Sequence, residues 1–80
     1  MDKILYDFYC DGGKMGFLMT INAERDEVER LLEEYRKTDE FYSDVGFLEF
    51  LVERGYTAEI ITCYVSNSSV DIDADEHIAF

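Results

Sequence analysis

Residues 4–21 have the sequence Ile-Leu-Tyr-Asp-Phe-Tyr-Cys-Asp-Gly-Gly-Lys-Met-Gly-Phe-Leu-Met-Thr-Ile, and this stretch decides the fold. Gly12 and Gly13 lie between two apolar runs. Paired glycines in that position indicate a hairpin, because glycine tolerates the positive φ that tight turns need. The stretch therefore predicts two antiparallel strands, over residues 4–10 and 15–21.

Side chains alternate between the two faces of a strand. On the first strand, Leu5, Asp7 and Tyr9 are predicted to share the face turned away from the core. The predicted core face carries Ile4, Tyr6, Phe8, Cys10, Met15, Phe17, Met19 and Ile21.

A first helix is predicted over residues 23–37, with Asn22 as its cap. Acidic residues fill its first turn, where the helix dipole favours negative charge. Apolar residues recur with helical spacing at Val28, Leu31, Leu32 and Tyr35. The segment therefore predicts an amphipathic helix with one buried side.

A second helix is predicted over residues 44–54, between a Ser43 cap and a Gly55 stop. Apolar residues surround most of it: Val45, Phe47, Leu48, Phe50, Leu51 and Val52. A helix with so broad an apolar surface is expected to be more buried than the first.

Residues 56–65 are rich in β-branched and aromatic side chains and predict a third strand. A turn is predicted at 66–69. Residues 70–75 alternate with period two, so 66–80 is either an edge strand or a loose acidic tail. The order ββααβ(β) indicates one α+β domain over residues 1–80, with two helices packed on one face of an antiparallel-rich sheet.

The charge balance indicates what kind of partner the chain can have. Nineteen acids against seven bases give a net charge of −12. Such a field repels nucleic acid and anionic membranes, and it steers association with basic protein surfaces. No leader or membrane span is evident, so a cytoplasmic location is expected, in the host cytoplasm if the chain is phage-encoded.

Catalytic and metal-binding patterns are absent from the sequence. It has no nucleophile, phosphate-loop or dinucleotide motif, and its one histidine, His77, lies near the frayed C-terminus. Asp71-Ile-Asp73-Ala-Asp75 has the spacing that opens an EF-hand loop, but Glu76 stands where that loop needs glycine. No enzyme activity, cofactor or metal site is therefore predicted, although weak divalent-cation binding by these carboxylates stays open.

The two cysteines, Cys10 and Cys63, both lie in strand-like runs. Two interpretations stand: they are small core residues, or they form a cross-strand disulfide.

Acids without a nearby base are the candidate partner-binding residues. On the first helix, Asp26 with Arg30 and Glu33 with Lys37 are predicted i,i+4 pairs that weaken its outward field. If residues 70–75 form a strand, the aspartates among them stand about 6.6 Å apart, resembling a row of phosphates or serving as edge protection. The candidates form two groups: Asp71, Asp73, Asp75 and Glu76 near the C-terminus, and Asp39, Glu40, Tyr42 and Asp44 at the helix junction.

A compact acidic α/β chain with acidic rows and no catalytic set resembles, in overall character, the small phage-encoded anti-CRISPR and anti-restriction proteins that mimic DNA. That resemblance implies an inhibitor of a basic nucleic-acid-binding surface, on a CRISPR effector or restriction enzyme. The alternative is a regulatory or assembly module that binds a partner, or a second copy of itself, through an exposed aromatic or strand-edge surface.

Overall fold

The sheet and helices follow the predicted order. The computed structural model describes residues 2–10, 12, 14–38, 43–65 and 73–80. Its elements are β1 (Ile4–Cys10), β2 (Met15–Ile21), α1 (Arg25–Thr38), α2 (Asp44–Glu53), β3 (Ala58–Val65) and β4 (Glu76–Ala79). The strands form one mixed, mostly antiparallel sheet in the order β3-β2-β1-β4. The predicted α+β fold, with both helices on one face of the sheet, is confirmed.

The hairpin forms as the sequence predicts. β1 and β2 pair from Ile4 opposite Ile21 to Cys10 opposite Met15. Gly12 has a φ of +67°, the left-handed conformation that favours glycine; Asp11 and Gly13 lie outside the described residues. Met15 is predicted in the core, but it is the first residue of β2 and is 44% exposed.

Both helices are close to their predicted bounds. α1 begins at Arg25 rather than at residue 23, because the Asn22 side chain is engaged elsewhere: its Oδ1 accepts a hydrogen bond from the Thr57 amide at 2.8 Å. α2 is capped as predicted, since Ser43 Oγ accepts from the Gly46 amide at 3.0 Å. Gly55, with a φ of +89°, follows its end.

Aromatic rings fill the core between the sheet and the helices. Phe8 lies at the centre, with ring centroids 5.0 Å from Phe17, 5.5 Å from Phe47 and 6.0 Å from Phe80. The core residues include Tyr6, Phe8, Phe17, Met19, Ile21, Val28, Leu31, Leu32, Tyr35, Phe47 and Leu51.

The second helix is less buried than the sequence predicted. Phe47 and Leu51 are buried, but Val45 is 54% exposed and Val52 is 55% exposed. The expectation that α2 is the more buried helix is therefore wrong: one side of it overlies the core, and an apolar side is left uncovered among the described residues.

The last strand lies later in the chain than predicted. β4 runs parallel to β1, with Asp7 opposite His77 and Phe8 opposite Ile78. Residues 73–75 precede it and are not part of a strand, so the predicted strand at 70–75 is wrong for the described part of that segment. The turn at 66–69 lies outside the described residues.

Candidate functional site

Most cations of the chain are held by its own acids. Within the described residues, five ion pairs involve α1: Arg25–Glu29 at 3.0 Å, Arg25–Glu76 at 2.8 Å, Arg30–Glu27 at 3.4 Å, Lys37–Glu33 at 3.9 Å and Arg54–Glu34 at 3.3 Å. The predicted pair of Glu33 with Lys37 is confirmed. Arg30 contacts Glu27 rather than the predicted Asp26. The outward field of α1 is therefore largely neutralised, as expected.

Exposed acids gather instead at one end of the sheet. β1, β3 and β4 are mutually parallel, so all three begin at the same end, and α1 begins there too because it follows the end of β2. We call this surface the acidic end and define it by Asp2, Glu24, Asp26, Glu59, Asp73 and Asp75. All six are exposed, and no salt bridge within the described residues includes them.

The buried hydroxyl of Tyr6 lies close to several of the carboxylates at this end of the sheet. It donates a 2.6 Å hydrogen bond to the Ala23 carbonyl. The pKa of Tyr6 is raised to about 12, first by burial and then by the carboxylates of Glu76, Glu24 and Asp75, which outweigh the opposing charge of Arg25. Acids from two segments far apart in sequence therefore act on one point of the core.

The predicted C-terminal acids have three different settings. Asp73 is exposed. Asp75 Oδ2 accepts a 2.9 Å hydrogen bond from the Leu5 amide, which secures the start of β4. Glu76 is half-buried and pairs with Arg25 at 2.8 Å. Because Asp73 and Asp75 lie outside any strand, the predicted row with strand spacing is not formed there; Asp71 lies outside the described residues.

The helix-junction acids are not brought together with the C-terminal ones. Asp44 Oδ2 accepts a 3.2 Å hydrogen bond from the Cys63 thiol, a contact that raises the pKa of Cys63. Cys63 lies four residues along β3 from Glu59, about 13 Å towards the other end of the sheet. Asp39, Glu40 and Tyr42 lie outside the described residues.

The cysteines do not form the disulfide that the sequence left open. Cys10 lies opposite Met15, and Cys63 lies opposite Phe17, so β2 separates them. Two strand spacings are about 9.6 Å, which exceeds the Cα separation a disulfide spans. Neither cysteine is part of a disulfide, and Cys63 is exposed rather than part of the core.

A polar network crosses the sheet face opposite the helices. Asp7 is 4% exposed although it lies on this outer face. Its Oδ1 accepts a 2.7 Å hydrogen bond from the Tyr64 hydroxyl, and its Oδ2 lies 2.8 Å from His77 Nδ1. Tyr64 belongs to β3 and His77 to β4, so one carboxylate on β1 links both edge strands.

Gly16 is what allows Tyr64 to reach Asp7. Tyr64 lies opposite Gly16 in the β2–β3 register, and its ring passes over that residue, where a Cβ would be 2.6 Å from the hydroxyl oxygen. Any side chain at position 16 would occupy the path of the ring.

Sequence reasoning missed this network. The position of His77 near the C-terminus predicts a frayed segment, but His77 lies in β4. Asp7, the single acid in the apolar run 4–10, is the feature of the sequence that indicates the network, because a buried carboxylate needs hydrogen-bond partners. Finding those partners required the register of β3 and β4.

The geometry of the network indicates a structural role. Both carboxylate oxygens of Asp7 are engaged by this chain's own side chains. Burial, followed by the hydrogen bond to Asp7, raises the pKa of Tyr64, so its phenol stays protonated at neutral pH. These hydrogen bonds link β1 to β3 and to β4.

The raised tyrosine pKa values predict a loss of stability in alkali. Folding favours the neutral phenols, so their contribution is complete below pH 10, their ordinary pKa, and is lost as pH rises towards about 12 for Tyr6. For Tyr6 this amounts to about 2–3 kcal/mol. Urea unfolding between pH 8 and 12 measures the loss, and Tyr6→Phe should flatten it. An equally steep loss in Tyr6→Phe would contradict the assignment.

Comparisons with known proteins do not place the chain in a group. No protein-family model, curated protein or solved structure matches it. Within the described ranges, no helix is long and apolar enough to cross a membrane, and no cluster of three or more His, Cys, Asp or Glu side chains is suited to hold a metal ion.

Proposed function

We propose that this protein is a non-catalytic acidic binding protein that covers a basic, nucleic-acid-binding surface of another protein. The observation that carries the proposal is the acidic end: six exposed carboxylates without an ion-pair partner among the described residues, while Arg25 and Arg30 of α1 pair with acids of the same helix. Unpaired charge attracts a partner, whereas paired charge is already neutralised.

The size of the acidic end suits a charged groove. Three strand spacings separate β3 from β4, which is about 14 Å across the sheet. The centre of this surface is therefore about 7 Å from either edge, within the Debye length of about 8 Å at physiological salt. A partner charge placed there is attracted by carboxylates on both sides. Such a field accelerates encounter with a basic surface and competes with phosphates for it.

The partner class follows from this chemistry and from the resemblance to phage inhibitors. A CRISPR effector or a restriction enzyme presents a basic channel to nucleic acid, and an inhibitor of the anti-CRISPR kind would occupy it in the host cytoplasm. In this role the chain needs no cofactor and makes no direct contact with nucleic acid.

Competition with nucleic acid tests the proposal. Such effectors, loaded with labelled DNA or guide RNA, are titrated with the protein across a salt series starting at about 50 mM. We expect displacement that weakens as salt rises. Asp73→Asn with Glu59→Gln should slow association about threefold to tenfold, because both remove charge from the acidic end.

The matched control is Glu29→Gln with Glu33→Gln, which changes the net charge equally but on the compensated helix. Its association rate should stay close to that of the unmodified protein. An equal slowing in both variants would show that only total charge matters, and no displacement at low salt in a broad panel would refute the inhibitor.

The second candidate function is a regulatory or assembly module that binds through an apolar surface. The exposed side chains Val45, Val52, Ile61 and Val65 favour it. Binding that does not depend on salt would support this function over the first, and light scattering would reveal a homodimer.

A further inference from the structure

Helix α2 overlies the edge strand β3 with one side turned towards α1. On that side, the Phe50 ring lies 5.3 Å from the Tyr35 ring, and Arg54 pairs with Glu34. Helical periodicity places Val45, Leu48 and Val52 on the other side of the helix, away from α1. Two of these three side chains are more than half exposed.

The outer edge of β3 is also uncovered. Among the described residues β3 pairs only with β2, so its other edge carries backbone groups with no strand beside them. Its sequence has no lysine or proline, and the two protective features that it does have, Glu59 and the bulge at Ile61, both precede Thr62. Ile61, the bulged residue, is 51% exposed and Val65 is 79% exposed.

We propose that an extended segment of the partner protein adds to the outer edge of β3 beneath α2. We call this surface the α2–β3 flank and define it by Val45, Leu48, Val52, Ile61 and Val65. An added strand would lie about 4.8 Å beyond β3. Its helix-facing side chains would then cover the apolar side of α2, and its backbone would pair with β3.

Charge selects a basic segment as the occupant. A second copy would bring two chains of net charge −12 together, which repel each other. In a partner strand, alternate apolar side chains would face α2, and lysine or arginine side chains would lie on the opposite face, which Glu59 shares. This inference rests on the proposed function, because it assigns a basic partner, and it adds the segment by which that partner docks.

A peptide of alternating lysine and valine tests the docking edge directly. We expect it to bind the full chain at about 50 mM salt, with amide shifts in Thr62–Val65. A peptide with alternate amides N-methylated keeps the charge but cannot pair along an edge, so it should bind at least about tenfold more weakly. Equal affinities of the two peptides for the protein would overturn the proposal.

Variants of the flank give a second readout. Val45→Ser with Val52→Ser should weaken binding of the peptide about tenfold, whereas Ala79→Ser, on the opposite edge strand, should not. The valines are exposed, so the variant should fold, and amide shifts that stay in place confirm it. Unchanged affinity, or no binding of the peptide to the unmodified chain, refutes docking at β3. Neither result decides the proposed function. The competition experiment tests that function separately, because its variants change the acidic end and not the α2–β3 flank.

Discussion

Replacing Asp7 with alanine should lower the free energy of unfolding by about 2–3 kcal/mol. The substitution leaves the Tyr64 hydroxyl without its acceptor in a partly buried site, and such an unsatisfied group costs about 1–3 kcal/mol. It also removes the partner of His77. Because the His77 side chain is half exposed, water replaces part of that interaction, and the loss stays below that of a fully buried pair.

Urea denaturation measures this change, and Asp73→Ala is the matched control. Asp73 is an exposed aspartate, so its replacement should change stability by no more than about 0.5 kcal/mol. Asp7→Asn should have an intermediate effect, because the amide keeps one acceptor. Equal stability of Asp7→Ala and Asp73→Ala would show that the network does not hold the strands together.

The fold could be predicted from local patterns because each pattern has one dominant physical cause. The Gly12-Gly13 pair and period-two alternation gave the hairpin, and the helical recurrence from Val28 to Tyr35 gave α1. The errors occurred where long-range contacts compete with local preference. Asn22 is a good cap by itself, but the Thr57 amide, just before β3, donates a hydrogen bond to its side chain instead.

The acidic end was only partly predictable. The absence of a base after Arg54 in the sequence predicts Asp73 and Asp75 as partner-binding residues, and both side chains are exposed. The sequence does not indicate Glu24 and Glu59, because their proximity to the C-terminal acids depends on β3 and β4 being parallel to β1. Sequence spacing shows which acids lack a neighbour of opposite charge, but only strand order shows which of them share a surface.

The network around Asp7 also helps to position part of the acidic end. The network of Asp7, Tyr64 and His77 links β1 to both edge strands, and this holds β4 in place. The start of β4 in turn carries Asp75 into the acidic end. Loss of the network should therefore weaken the display of charge as well as stability, so an Asp7 variant is unsuitable as a binding-site probe.

Replacing Gly16 with alanine should destabilise the fold by about 3 kcal/mol. A Cβ at this position would overlap the Phe8 carbonyl oxygen and lie 2.6 Å from the Tyr64 hydroxyl oxygen. Backbone cannot yield as a flexible side chain does, and forced overpacking costs about 1–3 kcal/mol. Displacement of Tyr64 would also break its hydrogen bond to Asp7, which adds the cost of an unsatisfied partner.

A double-mutant cycle separates the two causes of that loss. In a Tyr64→Leu background the hydrogen bond to Asp7 is already absent, so Gly16→Ala should cost about 1–2 kcal/mol less there than in the unmodified chain. Gly12→Ala is the control for a strained conformation without a clash: its φ is positive and its surroundings are open, so it should cost about 1–2 kcal/mol. Strict additivity of Gly16→Ala and Tyr64→Leu would mean that the position of the Tyr64 ring does not depend on Gly16. The hydrogen bond between Tyr64 and Asp7 would then be positioned by β3 alone.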